Sequence, residues 1–214
     1  MLNPQADLEI LSEKLHRKTA LHFAARLGFL DMAHALIQAG ANIHDQRSGE
    51  SVLHVGMYKT ISLCVTVAAS RYGRPFIVHY LLKIGVNPDL RDALGHTALH
   101  VALFKNQAEC VKLLVYGGAD VRAVDNEGLT PLHWAALGGS VETSRVLLRE
   151  LPADAYKATV NFQGKSHNAF QLAELKQNKR MAEHINKRMK HHRRNVLVLS
   201  LCPKFFLILK ANNH

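Results

Sequence analysis

Apolar residues recur along this chain in paired blocks. A short block such as "TALHFAARLG", from Thr19, opens on a hydroxyl residue, runs through apolar and small side chains, and stops at a glycine. A longer amphipathic block follows: in "QAECVKLLVYG" (107–117), Cys110, Val111, Leu113 and Leu114 supply one apolar face. A polar stretch such as "GADVRAVDNEGLT" then leads into the next short block. The pattern predicts a helix, a turn, a second helix and a protruding turn. Thr or Ser ahead of the short block is an N-cap, because its oxygen accepts an amide N–H that the first helical turn leaves unpaired. Pro131, directly after Thr130, needs no such N–H. Gly28, Gly73 and Gly139 suit the left-handed conformation that ends a short helix, and Asp125 to Gly128 form a turn ahead of the next cap.

The unit repeats. "TALHFAARLG" begins at Thr19, "SVLHVG" at Ser51, "TALHVALFKN" at Thr97, "TPLHWAALGG" at Thr130 and a worn copy, "NAFQLAELKQ", at Asn168, at intervals of 32, 46, 33 and 38 residues. A second landmark stands 21 residues after Thr19, Thr97 and Thr130, as Gly40, Gly118 and Leu151. In the second copy the landmark is Gly85, which makes that copy 13 residues longer. The excess falls within its first helix, around "GMYKTISLCVTV" (56–67), a β-branched run without helical period that predicts a bulge or irregular extension. The fifth copy has Asn168, Ala169, Phe170 and Gln171 in place of T-P-L-H.

A period near 33 residues carrying T-x-L-H-x-A resembles the ankyrin repeat family, and the resemblance covers residues 18–190. It implies an all-α solenoid of stacked helix-turn-helix units with protruding β-turn fingers. The expected repeats are 18–47, 48–93, 94–126, 127–164 and 165–190. Ahead of them, Asn3, Pro4, Leu8, Leu11 and Leu15 predict a capping helix within residues 1–17. A basic and apolar tail occupies 191–214.

The repeat settles what the histidines are for. His22, His54, His100 and His133 stand at one offset from four cap residues, and a catalytic base has no reason to recur with the period of a fold. The resemblance implies a hydrogen-bond role for that His and the cap Thr between neighbouring repeats. Ala24, Ala102, Ala135 and Ala136 read as small residues that let helices pack closely, and Trp134 as a packing residue, since Phe23 and Val101 fill its slot elsewhere.

Function then belongs where copies disagree. At the end of the first helix the copies show Arg26 and Leu27, Arg71 and Tyr72, Phe104 and Lys105, Leu137 and Gly138. Arg47 and Glu50, then Arg91, Leu94 and His96, then Asn126, Glu127 and Leu129 vary at the turns. The resemblance places partners on a concave groove made of these turns and inner helices. The candidate contact set is therefore Arg26, Arg47, Arg71, Tyr72, Leu94, His96, Phe104, Lys105, Asn126, Leu129 and Leu137. Arg and aromatic groups dominate interface energetics.

Composition adds limits. The formal net charge of +10 is unevenly spread: residues 1–164 carry 16 Lys/Arg against 15 Asp/Glu, residues 165–214 carry 11 against 2. The positive field belongs to the tail, and no reading helix for specific nucleic-acid binding stands out. Cys64, Cys110 and Cys202 lie far apart with no CxxC pair, and His191 and His192 lack partners at metal spacing, so no metal or other cofactor is expected. P-loop, G-x-S-x-G and H-E-x-x-H motifs are missing, which points to a non-enzyme. The first fifteen residues do not read as a secretory signal, so a cytoplasmic monomer is expected, with the nucleus as the alternative compartment.

In the tail, Lys187, Arg188, Lys190, Arg193 and Arg194 precede a mostly apolar stretch, 196–209, broken by Pro203 and Lys204. Spanning a bilayer takes about 20 apolar residues. The alternatives are contact with an anionic membrane surface, a nuclear-import signal, or a ubiquitin-ligase adaptor, since "LVLSLCP" is faintly similar to the leucine-cysteine element of SOCS-type boxes.

Overall fold

The short blocks opened by Thr19, Thr97, Thr130 and Asn168 become helices of seven or eight residues, and the longer block after each a second helix behind it. The structure, a computed structural model, describes residues 19–43, 65–92, 94–151, 153–162 and 165–201. The first unit is α1 (Ala20–Leu27) and α2 (Leu30–Gln38), the second α3 (Val65–Arg71) and α4 (Pro75–Lys83). The third is α5 (Ala98–Phe104) and α6 (Ala108–Tyr116), the fourth α7 (Pro131–Gly138) and α8 (Val141–Glu150). A 3-10 turn (Ala153–Lys157) and an antiparallel hairpin of β1 (Thr159–Phe162) and β2 (Lys165–Asn168) lead to the fifth unit, α9 (Ala169–Leu175) and α10 (Lys179–Leu201).

The units stack in two rows: α1, α3, α5, α7 and α9 each touch the next, and so do α2, α4, α6, α8 and α10. One continuous core runs between the rows, from Leu21 to Ile185. Leu21, Leu99 and Leu132 occupy equivalent buried slots, each contributing about 2 kcal/mol of burial. Ala24, Ala69, Ala102, Ala135 and Ala173 are at most 1% exposed along the inner row, where a larger side chain would push neighbouring helices apart. At the inner helix end one slot is left-handed in every unit; glycine fills it three times, Asn106 (φ 59°) and Gln177 (φ 60°) the other two.

Two expectations need correction. The second unit does not start at Ser51: Val65 lies 33 residues before Ala98 and Pro75 lies 33 before Ala108, so α3 is its first helix. The extra length therefore precedes the helix instead of interrupting it, and 65–67, expected to be irregular, is helical. Val65, Val67, Ala68 and Ala69 are buried, and this burial overrides the weak helix propensity of the β-branched run. Val67 thus holds the slot assigned to His54, which falls outside the described residues. The second correction concerns the boundary at 191, which α10 crosses without a break. The expected capping helix at 1–17 and the tail beyond 201 lie outside the described residues.

Candidate functional site

Of the recurring histidines, His100 and His133 are fastened from both ring nitrogens. The Thr97 amide N–H donates to His100 Nδ1 at 3.1 Å, so Nδ1 carries the lone pair and Nε2 carries the proton. Nε2–H then donates to the Leu129 carbonyl at 3.2 Å, linking the third unit to the finger of the next. His133 repeats the arrangement with the Thr130 amide at 3.1 Å and the Ala158 carbonyl at 3.1 Å. Both pairs form capping boxes. In the first unit His22 Nδ1 sits 2.7 Å from the Thr19 hydroxyl. Burial pushes the His100 pKa down to about 4, against the nearby Asp125 charge, and burial also lowers that of His133. A buried neutral imidazole with both nitrogens bonded to backbone is a joint, with no lone pair left for chemistry.

Two aspartates organise the fingers: Asp125, which opens the turn expected from the sequence, and Asp92, which variation between copies does not single out. Asp92 Oδ1 accepts the amides of Leu94 (2.9 Å) and His96 (2.8 Å), and Asp125 Oδ1 those of Glu127 (3.0 Å) and Leu129 (2.8 Å). Asp125 Oδ2 accepts the Trp134 indole N–H at 2.8 Å, and Asp92 Oδ2 is 3.0 Å from His96 Nδ1. Both lie in a D-x-x-G pattern, Asp92 to Gly95 and Asp125 to Gly128, which was the available signal. Neighbouring fingers are tied together: the Arg91 guanidinium donates to the Val124 carbonyl, the Asn126 amide to the Leu94 carbonyl (3.1 Å), and the Asp120 amide to Asp89 Oδ1 (2.8 Å).

This geometry removes two residues from the candidate contact set. His96 is 8% and Leu129 4% exposed. Their variation reflects packing: His96 lies against Asp92 and edge-on to Trp134 at 4.6 Å, and both Leu129 backbone groups are bonded to the fold. Arg47 falls outside the described residues. Leu94 (47% exposed) and Asn126 stand out from adjacent fingers.

The inner-helix ends form a row. The Arg26 guanidinium lies 5.3 Å from the Tyr72 ring centre, and Arg74 Nε–H donates to the Arg26 carbonyl at 3.0 Å, so Arg74 joins the first two units. Lys105 Nζ lies 5.3 Å from the Phe104 ring, which meets Trp134 edge-on at 5.4 Å. Gly138 completes the row: a Cβ there would sit 2.8 Å from the Leu103 carbonyl oxygen, so α7 approaches α5 at backbone distance. Leu137 stands half-buried beside it.

A separate cleft of about 510 Å³ opens between the α7–α8 turn and α10, lined by Ser140, Glu142, Arg145 and Arg180 among others. Its polar groups serve each other: Ser140 Oγ accepts the Thr143 amide at 3.4 Å, and Arg145 pairs with Glu142 at 3.0 Å. Among the described residues no group of three or more His, Cys, Asp or Glu side chains could hold a metal ion. No helix among them is long and apolar enough to cross a membrane. Cys110 is a buried free thiol whose pKa burial raises to about 11.

Comparison with known proteins agrees with this architecture. The family model "Ankyrin repeats (3 copies)" matches residues 65–159 and "Ankyrin repeat" matches 16–48, which leaves out the extra segment between them. The chain is 33% identical over 135 residues to the E3 ubiquitin-protein ligase KEG of Arabidopsis thaliana, covering 61% of this chain and 8% of that protein. It is 28% identical over 183 residues to human inversin, covering 73% of this chain and 17% of inversin. Chicken nuclear factor NF-kappa-B p105 subunit is 32% identical over 147 residues, 66% of this chain and 14% of p105. The matched part is thus a small fraction of each relative. Ankyrin repeats are generic protein–protein interaction modules, and some relatives that carry them, KEG among them, are enzymes with additional domains. With its repeating cap, histidine joint and stacked helix pairs matched by the family's own pattern, this chain belongs to the ankyrin repeat family.

Proposed function

We propose that the protein is a non-catalytic adaptor that holds a partner protein along the row of inner-helix ends and fingers. One observation carries the reading. Core and cap positions recur from unit to unit, whereas Arg26, Leu27, Tyr72, Lys105, Leu94 and Asn126 differ between units and stay exposed. Side chains that vary, stay exposed and line one edge are what recognition selects. The test is affinity capture with the full chain against an Arg71→Ala/Phe104→Ala/Leu137→Ala variant, with helical content checked by circular dichroism. Captured proteins should disappear with the variant while the helical signal stays; unchanged capture rejects this face.

A second reading is favoured by α10. Met181, Ala182 and Ile185 bury its first turns against the solenoid, but the helix has 23 residues where α8 has 10, about 34 Å in all. It carries the chain through Lys187, Arg188, Lys190, Arg193 and Arg194 into the apolar stretch, the order that suits an anionic membrane surface. Sedimentation with phosphatidylserine vesicles should retain the full chain and lose a version ending at His191. Equal partitioning removes the idea.

A further inference from the structure

Every described outer helix buries its third and seventh residues except the first. In α4, α6, α8 and α10 these are Ile77 and Leu81, Cys110 and Leu114, Thr143 and Leu147, and Met181 and Ile185, none more than 3% exposed. In α2 they are Met32, 49% exposed, and Leu36, half-buried. Among the described residues no outer helix follows α10, yet its pair is buried, so these two positions face the preceding unit. α2 has no described helix before it. The inner row is open on the same side: Ala20 is exposed, whereas its counterparts Val65, Ala98 and Ala169 are at most 1% exposed. Phe29, 52% exposed, widens the apolar surface at the start of α2, where the other units place Arg74, Gln107, Ser140 and Asn178.

We propose that residues 4–15 pack on this face as a helix running alongside α2, with Leu8, Leu11 and Leu15 against Met32 and Leu36. Those three leucines fall on one side of a helix, and Ile10 falls on the opposite side. Twelve helical residues span about 18 Å, enough to pass both Met32 and Leu36, which stand one turn apart. Three residues, His16 to Lys18, separate Leu15 from Thr19, a length that joins antiparallel neighbouring helices. A similarly short turn joins α1 to α2, so a helix antiparallel to α1 runs in the direction of α2. The short link also favours this segment over other occupants, because it holds the leucines beside the face at a local concentration on the order of millimolar. The apolar stretch after α10 starts four units away, about 30–40 Å at the spacing of packed helices. A lone helix without an inner-row partner is a weaker neighbour than a full unit. It nevertheless closes the end of the stack to a second copy of the chain, whether or not the adaptor reading holds.

The experiment is oxidation of the full chain by dilute hydrogen peroxide, followed residue by residue with peptide mass spectrometry, since sulfoxide formation tracks methionine exposure. Met181 is the internal standard, for it fills in α10 the slot that Met32 fills in α2 and is 0% exposed. Leu8→Asp/Leu11→Asp should speed oxidation of Met32 at least about tenfold over the parent and leave Met181 slow. Ile10→Asp should change neither. If Met32 of the parent already oxidises as fast as in the aspartate pair, the segment does not cover it and the proposal fails. Equal slowness in both fails it too, and slowing that grows with protein concentration assigns the face to a second copy. Exposure of Met32 by Ile10→Asp as large as by the aspartate pair overturns the assigned helix face. Should Met181 oxidise together with Met32 in the aspartate pair, the stack has collapsed, and Leu8→Ala/Leu11→Ala decides by the same comparison.

Discussion

At the scale of single residues, His100 couples the fold to pH. Its imidazole takes up a proton near pH 6.5 when unfolded and only at about 4 when folded, because burial penalises the charged form. Between those values the unfolded chain binds more protons, so stability falls as pH drops from 6.5 toward 4, by on the order of 3 kcal/mol for this group. Protonation also destroys the acceptor that the Thr97 amide uses. The fifth unit suggests the test, for there Gln171 closes the same box: the Asn168 amide donates to Gln171 Oε1 at 2.9 Å, and the Gln171 amide to Asn168 Oδ1 at 2.9 Å. His100→Gln should cost about 1 kcal/mol at neutral pH through the lost bond to Leu129, yet flatten the acid slope. Urea denaturation of parent and variant should give stability curves that cross at roughly pH 5 to 6. Parallel curves would show that His100 is not the titrating joint.

At the scale of elements, helix ends decide where a side chain is allowed and where it strains. Gly138 faces α5 backbone: an added Cβ would meet the Leu103 carbonyl at 2.8 Å and Phe104 Cα at 3.0 Å, neither of which moves as a side chain would. Gly138→Ala should therefore destabilise by about 1–3 kcal/mol through overpacking, although alanine is the better helix former. Gln177 is the opposite case, a long side chain at φ 60° in the slot glycine fills in other units. Gln177→Gly should stabilise by about 0.5–1 kcal/mol. Urea midpoints moving in opposite directions for the two substitutions check both. These elements also show what could be read from the sequence. A Thr or Asn cap with a His or Gln three residues on stands ahead of α1, α5, α7 and α9, because cap and joint are local chemistry. The second unit lacks that pattern at its first described helix, because α3 is fixed by burial of Val65 and Val67 between α1 and α5, a property of neighbours. The same distinction accounts for the site. Arg26, Tyr72 and Lys105 vary and are exposed, but His96 and Leu129 vary and are buried, since a finger residue answers to the adjacent unit as well as to solvent.

At the scale of the whole molecule, each unit is stabilised by its two neighbours, so stability should be graded along the stack. α5 lies between α3 and α7, and α6 between α4 and α8, and the two fingers on either side of the third unit are bonded to each other through Arg91, Asn126 and Asp120. In α2 only Ala33 is buried, while Phe29, Leu30 and Met32 beside or within it are 52%, 36% and 49% exposed. Its contact with α4 is the sparsest between neighbours of the outer row. Amide protection should follow this gradient. Hydrogen exchange followed by mass spectrometry should find α2 exchanging through local opening, with protection about 100-fold or more below that of α5 and α6, which open only with the stack. A deficit of 100-fold corresponds to about 2.7 kcal/mol, close to the burial of one or two large apolar side chains, which is what α2 lacks relative to α6 with Cys110, Val111 and Leu114 inside. Uniform protection from α2 to α8 would mean that the units open together and that the nearest-neighbour account of this stack is wrong.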